Sequence, residues 1–271
     1  MTGRERFVRA MATLLAFGIL GGVGAASAGE TDPVKPLLDA AGLASVQPTY
    51  LHVTVSEEET APGGKTTQRS TTLWYRFPQL DPVRLELGHG VVLVRKGTEA
   101  WAVIKGKRDK RPQAAMMARG TQNEKLFPLA LPFSLLLRGV HVAADGQTTF
   151  EGKAVDRLRV TFEHGFYGTP VMNTAWSVLV DPGTHKIVAA SFVPSLEMRA
   201  IAGEGVRYRF LRWTEVAGAT LPETVVIEGF DPGSGVATGH VNVIKLTYST
   251  DANPPVTLFI DPDELKRLEE E

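Results

Sequence analysis

From Tyr50 onward apolar and polar residues alternate. Leu51, Val53 and Val55 are separated by His52, Thr54 and Ser56, the period of two expected of a half-buried strand. The same pattern predicts strands over 67–77, 83–87, 91–95 and 99–104. Pro78 to Pro82, Gly88-His89-Gly90 and Lys96-Gly97 interrupt them, and such breaks are too short for crossover helices, so successive strands run antiparallel. The tract Glu57 to Lys65 holds Glu57-Glu58-Glu59 and Pro62-Gly63-Gly64 and is expected as a turn or exposed loop. Further strands are predicted over 148–151, 154–163, 175–180, 186–193, 205–215, 220–230 and 241–249, with Asp181-Pro182-Gly183 as a turn between two of them.

Helical signals are few. Asp32 to Ala44 reads as a short helix, with Asp32 as cap, Pro33 in the first turn and an apolar stripe of Leu37, Leu38, Ala41 and Leu43. Lys105 to Arg111 is a basic cluster, and Pro112 to Arg119 allows a helical turn or two. Phe127 to Leu137 is the most apolar stretch beyond the leader, and Pro128 and Pro132 forbid one straight helix across it. An irregular start and a short helix from Pro132 are expected there. The tail, Asp261 to Glu271, reads as a helix capped by Asp261 with Pro262 first and Lys266 and Glu270 one turn apart. The expected fold class is therefore mainly β, of α+β type: a large curved antiparallel sheet of about ten strands forming an unclosed barrel, with short helices on its concave face. Those helices serve either as a permanent plug or as a lid over a cavity, and the pattern leaves both open.

Residues 1–28 have the form of a secretory signal: basic Arg4, Arg6 and Arg9, an uncharged run from Ala10 to Val23, and Ala26-Ser27-Ala28 before the expected cleavage point. The uncharged run is short for a bilayer span of about 20 residues, although retention as an N-terminal anchor is the alternative. The expected location is the periplasm or the exterior, with residues 29–271 as a single domain. The chain has 29 basic and 30 acidic residues and no cysteine. That balance offers no footprint for nucleic acid. Lacking cysteine, the chain has no disulfide, thiolate metal site, thiol nucleophile or lipidated cysteine.

A screen for chemistry yields little. The 6 histidines form neither HExxH nor HxH, so no zinc signature is present. Gly63-Gly64-Lys65-Thr66 resembles the end of a phosphate loop, but Glu59 occupies the position of its first glycine. Gly233-Ser234-Gly235 is not a nucleophile elbow, and Asp261-Pro262-Asp263-Glu264 lacks the glycine of a calcium loop. No cofactor is expected. His164, Asp181 and Ser177 are the residues that a scattered hydrolase site would draw on.

The aromatic residues on predicted strands, Trp74, Tyr75, Phe77, Trp101, Trp176, Phe192 and Trp213, form either a core or the wall of a pocket. Burial contributes about 0.8 kcal/mol per methylene, so a chain of about 15 carbons gives on the order of 10 kcal/mol before binding costs. An apolar pocket thus holds lipid without a charged anchor. The order of elements adds a resemblance. A leader and a short helix precede Trp74-Tyr75-Arg76-Phe77-Pro78, Val83-Arg84-Leu85-Glu86 and Gly97-Thr98-Glu99-Ala100-Trp101; an apolar insert, Asp181-Pro182-Gly183-Thr184 and Leu221-Pro222-Glu223 follow. This pattern resembles the LolA/LolB-like superfamily of outer-membrane lipoprotein-sorting proteins.

The resemblance implies an unclosed barrel whose apolar inner face, under helices, binds acyl chains. On that basis Trp74, Phe77, Trp101, Phe127, Leu131, Phe133, Trp176, Phe192 and Trp213 are expected to line the cavity. It also implies an early-strand arginine that holds the lid closed, matched by Arg84 with Arg76 as rival. Without a lipobox cysteine the chain is similar to the soluble carriers of the superfamily, and the 127–137 insert does not align with them. The expectation is a monomeric, non-enzymatic carrier or sensor for acyl chains or a lipidated protein, with a membrane-associated partner. The alternative is an interaction or scaffold protein of the same fold with a filled core.

Overall fold

The computed structural model describes residues 32–61, 63–164, 166, 174–194 and 204–270. The expected leader lies outside them. Thirteen strands are described: β1 (Thr49–Thr60), β2 (Thr66–Phe77), β3 (Val83–Gly88), β4 (Val91–Lys96), β5 (Glu99–Ile104), β6 (Lys107–Arg108), β7 (Val140–Phe150), β8 (Lys153–Phe162), β9 (Trp176–Val180), β10 (Ile187–Phe192), β11 (Gly205–Val216), β12 (Ala219–Phe230) and β13 (Ala237–Asp251). They form one antiparallel sheet, in the order β6-β5-β4-β3-β2-β1-β13-β12-β11-β10-β9-β8-β7. Two meanders are joined where β1 pairs with β13, from Tyr50 opposite Asp251 to Thr60 opposite Val241. The end strands β6 and β7 do not pair with each other, so the sheet is not closed into a barrel.

Local chemistry explains the turns. Asp181 Oδ1 accepts from the backbone N–H of Gly183 (3.0 Å) and Thr184 (2.7 Å), closing the β9–β10 turn. Asp231 repeats the device between β12 and β13, accepting from Gly233 (3.1 Å) and Ser234 (2.7 Å). These bonds favour the ionised carboxylate, so both groups titrate below the usual aspartate range. The Glu57–Lys65 tract is less of a loop than expected. β1 continues through Thr60, and Thr60 sits opposite Thr66.

The helices depart further from the sequence reading. The first is split into α1 (Lys35–Ala40) and a 3-10 turn, η1 (Leu43–Ser45), with Val34 in place of Asp32 at the N-cap. The split falls at Gly42, whose φ of +81° suits glycine, and a Cβ there would lie 2.7 Å from the Gly218 carbonyl oxygen. That close approach fixes α1 against the β11–β12 turn, where Thr220 N donates to Ala41 O at 2.9 Å.

The second helix, α2 (Ala114–Leu129), is longer than the turn or two expected, and it carries Pro128 in its last turn. There a proline removes only one intrahelical bond. Ser134 Oγ then donates to the Phe127 carbonyl at 2.6 Å, satisfying one of the carbonyls left over at the helix end. Phe127 is therefore helical, and the piece after Pro132 is a 3-10 turn, η2 (Phe133–Leu136). At the C-terminus, η3 (Val256–Phe259) precedes α3 (Pro262–Glu270), and Asp261 Oδ1 caps α3 through Asp263 N at 2.9 Å.

Strand alternation sorts side chains onto two faces. The inner face gathers Leu51, Val53 and Val55 of β1, Leu73, Tyr75 and Phe77 of β2 and their counterparts on the other meander into the main core. Leu37 and Leu38 of α1, Leu126 and Phe127 of α2, and Leu131 and Phe133 complete the same cluster. The outer face carries a smaller cluster in which Val94, Trp101 and Phe259 pack with Tyr50, Trp74 and Leu258 beneath η3.

Candidate functional site

The inner face is aromatic where α2 ends. Phe127, fully buried, sits edge-on to Phe162 and Trp176, each at 5.1 Å between ring centroids. Trp176 in turn stacks on Phe192 (4.6 Å) and Tyr208 (5.5 Å). Phe133 of η2 meets Phe77 of β2 edge-on at 4.7 Å. Such pairs contribute about 0.5–1.5 kcal/mol each beyond the area they bury. Phe127, Leu131 and Phe133 thus occupy the space against the sheet. Beside α1, a small apolar pocket lined in part by Ile187 and Trp213 holds about 10 Å³, room for about one water. The indole N–H of Trp176 lies buried in this cluster with no acceptor among the described residues.

Nearer its N-terminus α2 is fastened by polar groups instead. Ala114, Ala118 and Gln122 recur every fourth residue and are buried toward the sheet. Gln122 Nε2 donates to the carbonyls of Val83 (3.2 Å) and Leu93 (2.8 Å). Asn123 accepts from Arg95 Nη1 and donates to the Phe166 carbonyl. Arg95 also donates to Leu80 O at 2.8 Å and lies 3.8 Å from Asp81. Burial pushes the Arg95 guanidinium down from its usual pKa and nearby Arg119 adds to this, while Asp81 opposes it. Across the face, Lys125 of α2 pairs with buried Glu57 of β1 at 2.8 Å. The cover over the inner face therefore has an apolar end and a polar, hydrogen-bonded end.

Beside the polar end lies a cleft of about 510 Å³, lined in part by Asp81, Arg95, Arg119, Asn123, Leu137 and Arg138. Phe166 forms part of its wall and also stacks on Phe162 at 4.9 Å.

The structure brings together Phe77, Phe127, Leu131, Phe133, Trp176 and Phe192 in the inner core, with Trp213 half-buried against it and stacked on Phe210 at 5.5 Å. Trp74 and Trp101 do not join them. On β2 the inward positions are Leu73, Tyr75 and Phe77, and on β5 they are Ala100 and Ala102, so both tryptophans point outward. Trp74 stacks on His52 at 4.1 Å. Arg84 also faces outward, bound to Glu86 (2.7 Å) and to Leu258 O (3.0 Å). Arg76 is exposed on the same outer side. The arginine that reaches the cover is Arg95. Its signal was its position two residues past Leu93 in the apolar register of β4. Gln122 and Asn123 had no such signal. Asp181 is engaged by its own turn, and no hydrogen bond links it to Ser177 or His164 among the described residues.

No protein-family model and no curated protein matches this sequence. Solved structures do match in fold. A LolA superfamily protein from Nitrosomonas europaea superposes with a TM-score of 0.55 at 13% identity, over 84% of this chain and 97% of that one. A domain described as an outer membrane lipoprotein-sorting protein, from Vibrio parahaemolyticus, gives 0.53 at 10% identity, over 86% and 98%. A DUF1329 family protein from Desulfovibrio piger gives 0.50 at 16% identity, over 85% and 98%.

Proposed function

We propose, on the premise that the chain has the LolA-like fold, that it is an exported, non-enzymatic carrier or sensor for lipid acyl chains or a lipidated protein. The binding face is the inner face of the sheet, and α2 with η2 is its lid. The observation that carries this reading is the division of the cover into an apolar end and a polar end. A permanent plug needs no buried Arg95–Asn123 contact, because apolar packing of the same volume avoids the desolvation cost of a charge. Polar contacts, by contrast, can be exchanged for water when a segment lifts. The apolar end then needs a substitute for Phe127, Leu131 and Phe133, and an acyl chain supplies one against Phe77, Trp176 and Phe192. The lid-holding role expected of Arg84 or Arg76 falls to Arg95.

The setting is the periplasm or the exterior, reached through a leader cleaved after Ala28, with the chain acting as a monomer and exchanging cargo with a membrane-associated partner. The test is titration with an environment-sensitive fluorescent fatty acid, whose emission should rise to saturation at one equivalent and be reversed by unlabelled long-chain lipid. Emission that never rises would remove the carrier reading. The complete burial of Phe127 and Phe133 favours the second reading in that event: an interaction protein whose core is permanently filled.

A further inference from the structure

We infer that the cleft beside the polar end of α2 binds the oxyanion head group of the amphiphile whose tail occupies the inner face. This rests on the acyl-chain reading and names the class of ligand within it: a lipid with a carboxylate or phosphate head. The cleft holds Arg95, Arg119 and Arg138, opposed by Asp81 and Glu163. Asp81 is already engaged, accepting from Gly97 N at 3.1 and 3.0 Å and facing Arg95. Glu163 is 60% exposed and sits 3.8 Å from His141. Arg95 is bound to Asn123 and Leu80 O, but the other two cations are less committed. Arg119 gives one N–H to the Thr98 carbonyl, and Arg138 has no ion pair among the described residues. Arg95 is 8% exposed at the inner end of the cleft, already facing Asp81, so Arg119 and Arg138 are the guanidinium groups open to an incoming anion. Guanidinium groups suit such an anion because their planar forks meet carboxylate and phosphate oxygens two at a time.

The rest of the cleft fits a tail. Leu136 and Leu137 line one side, Leu136 being 55% exposed. Phe166 belongs both to the cleft wall and to the aromatic cluster, 6.3 Å from Phe127. A head group at the arginines therefore lies where a chain replacing Phe127 would emerge. Asn123 ties the two together, since the residue that fastens α2 also lines the cleft. An anion drawn to Arg95 competes with Asn123 for the same guanidinium and so loosens the lid as the ligand arrives.

The experiment compares hexadecanoic acid, its methyl ester and inorganic phosphate by calorimetry and native mass spectrometry. The acid is expected to bind about tenfold tighter than the ester, equivalent to about 1.4 kcal/mol, and phosphate alone only weakly. The doubly substituted Arg119→Gln, Arg138→Gln protein should bind the acid no better than the ester. Its melting temperature provides the folding check, and Arg138→Gln alone, at an exposed position, should give a smaller loss in the same direction. Equal binding of acid and ester by the unsubstituted protein would overturn the head-group site and leave chain binding intact. Failure of both would overturn the two together. Phosphate bound as tightly as the acid would mean a free-anion site and would also overturn the proposal.

Discussion

At the scale of single residues, the decisive positions are polar groups placed where the pattern calls for apolar ones. Arg95 follows Val91 and Leu93 in the inward register of β4, and that register makes it findable; the resemblance points instead to Arg84 and Arg76, on the earlier strands β3 and β2. Parity along β2 and β5 likewise places Trp74 and Trp101 outside. Membership of a predicted strand alone groups these tryptophans with Trp176 and Trp213, because size and hydrophobicity do not encode a face. Replacing Arg95 by Met leaves Asn123 and the Leu80 carbonyl without their partner and should lower stability by about 2–4 kcal/mol. It should also raise amide exchange in α2 more than in β12. Arg84→Ala, whose side chain is 21% exposed and bonded to a 39% exposed Glu86, should cost less than about 1 kcal/mol and leave both α2 exchange and ligand retention unchanged.

Burial also pushes the phenols of Tyr75, Tyr208 and Tyr248 above their ordinary pKa. Because the folded-state values are raised, their contribution is complete below about pH 10 and declines as pH rises beyond it. Alkaline titration should show these tyrosinates appearing only together with loss of the circular dichroism of the fold. Ionisation of all 5 tyrosines near pH 10 in the folded protein would contradict their burial.

At the scale of elements, most strands were legible, but β6, the first part of β7 (expected only over 148–151) and the cover were not. Strand boundaries from β2 to β5 and from β8 to β12 follow the alternation within a residue or so, since one face of each is buried. α2 was foreshortened because Gly120, Thr121, Gln122 and Asn123 break any apolar stripe, and Pro128 signals a stop that falls only in the last turn. Its inward positions carry Gln122, which donates to carbonyls on β3 and β4, and Asn123, bound to Arg95 and the Phe166 carbonyl, contacts that no local window contains. β1 ran past its expected end for a related reason: Glu57 faces inward to Lys125 instead of forming part of a solvated tip. Two substitutions test these elements. Phe127→Ala should cost about 3–5 kcal/mol through the cavity it leaves, and a long-chain lipid should restore part of the loss where a short-chain one does not, as read from melting curves. Gly218→Ala should destabilise the contact with η1, since φ is +80° there and a Cβ would lie 2.4 Å from Ser45 O. A melting temperature equal to that of the unsubstituted protein would contradict the close approach.

At the scale of the whole molecule, an antiparallel sheet of 13 strands is held open with its two end strands apart, and an apolar helix end fills the inner face. The meander was readable from short turns, but the β1–β13 pairing that joins its halves connects positions as distant as Tyr50 and Asp251 and has no local signature. The same is true of whether the inner face is filled for good or only while empty of ligand, since that depends on the free energy of lifting α2. Native mass spectrometry of the protein gently extracted from the cells that make it, with organic extraction to identify any adduct, tests this most directly. The account predicts one lipid per chain, lost on extraction and regained on exposure to long-chain lipid, with α2 the segment whose amide exchange changes most. An empty protein that takes up no lipid, with α2 exchange the same in its presence and absence, would contradict it.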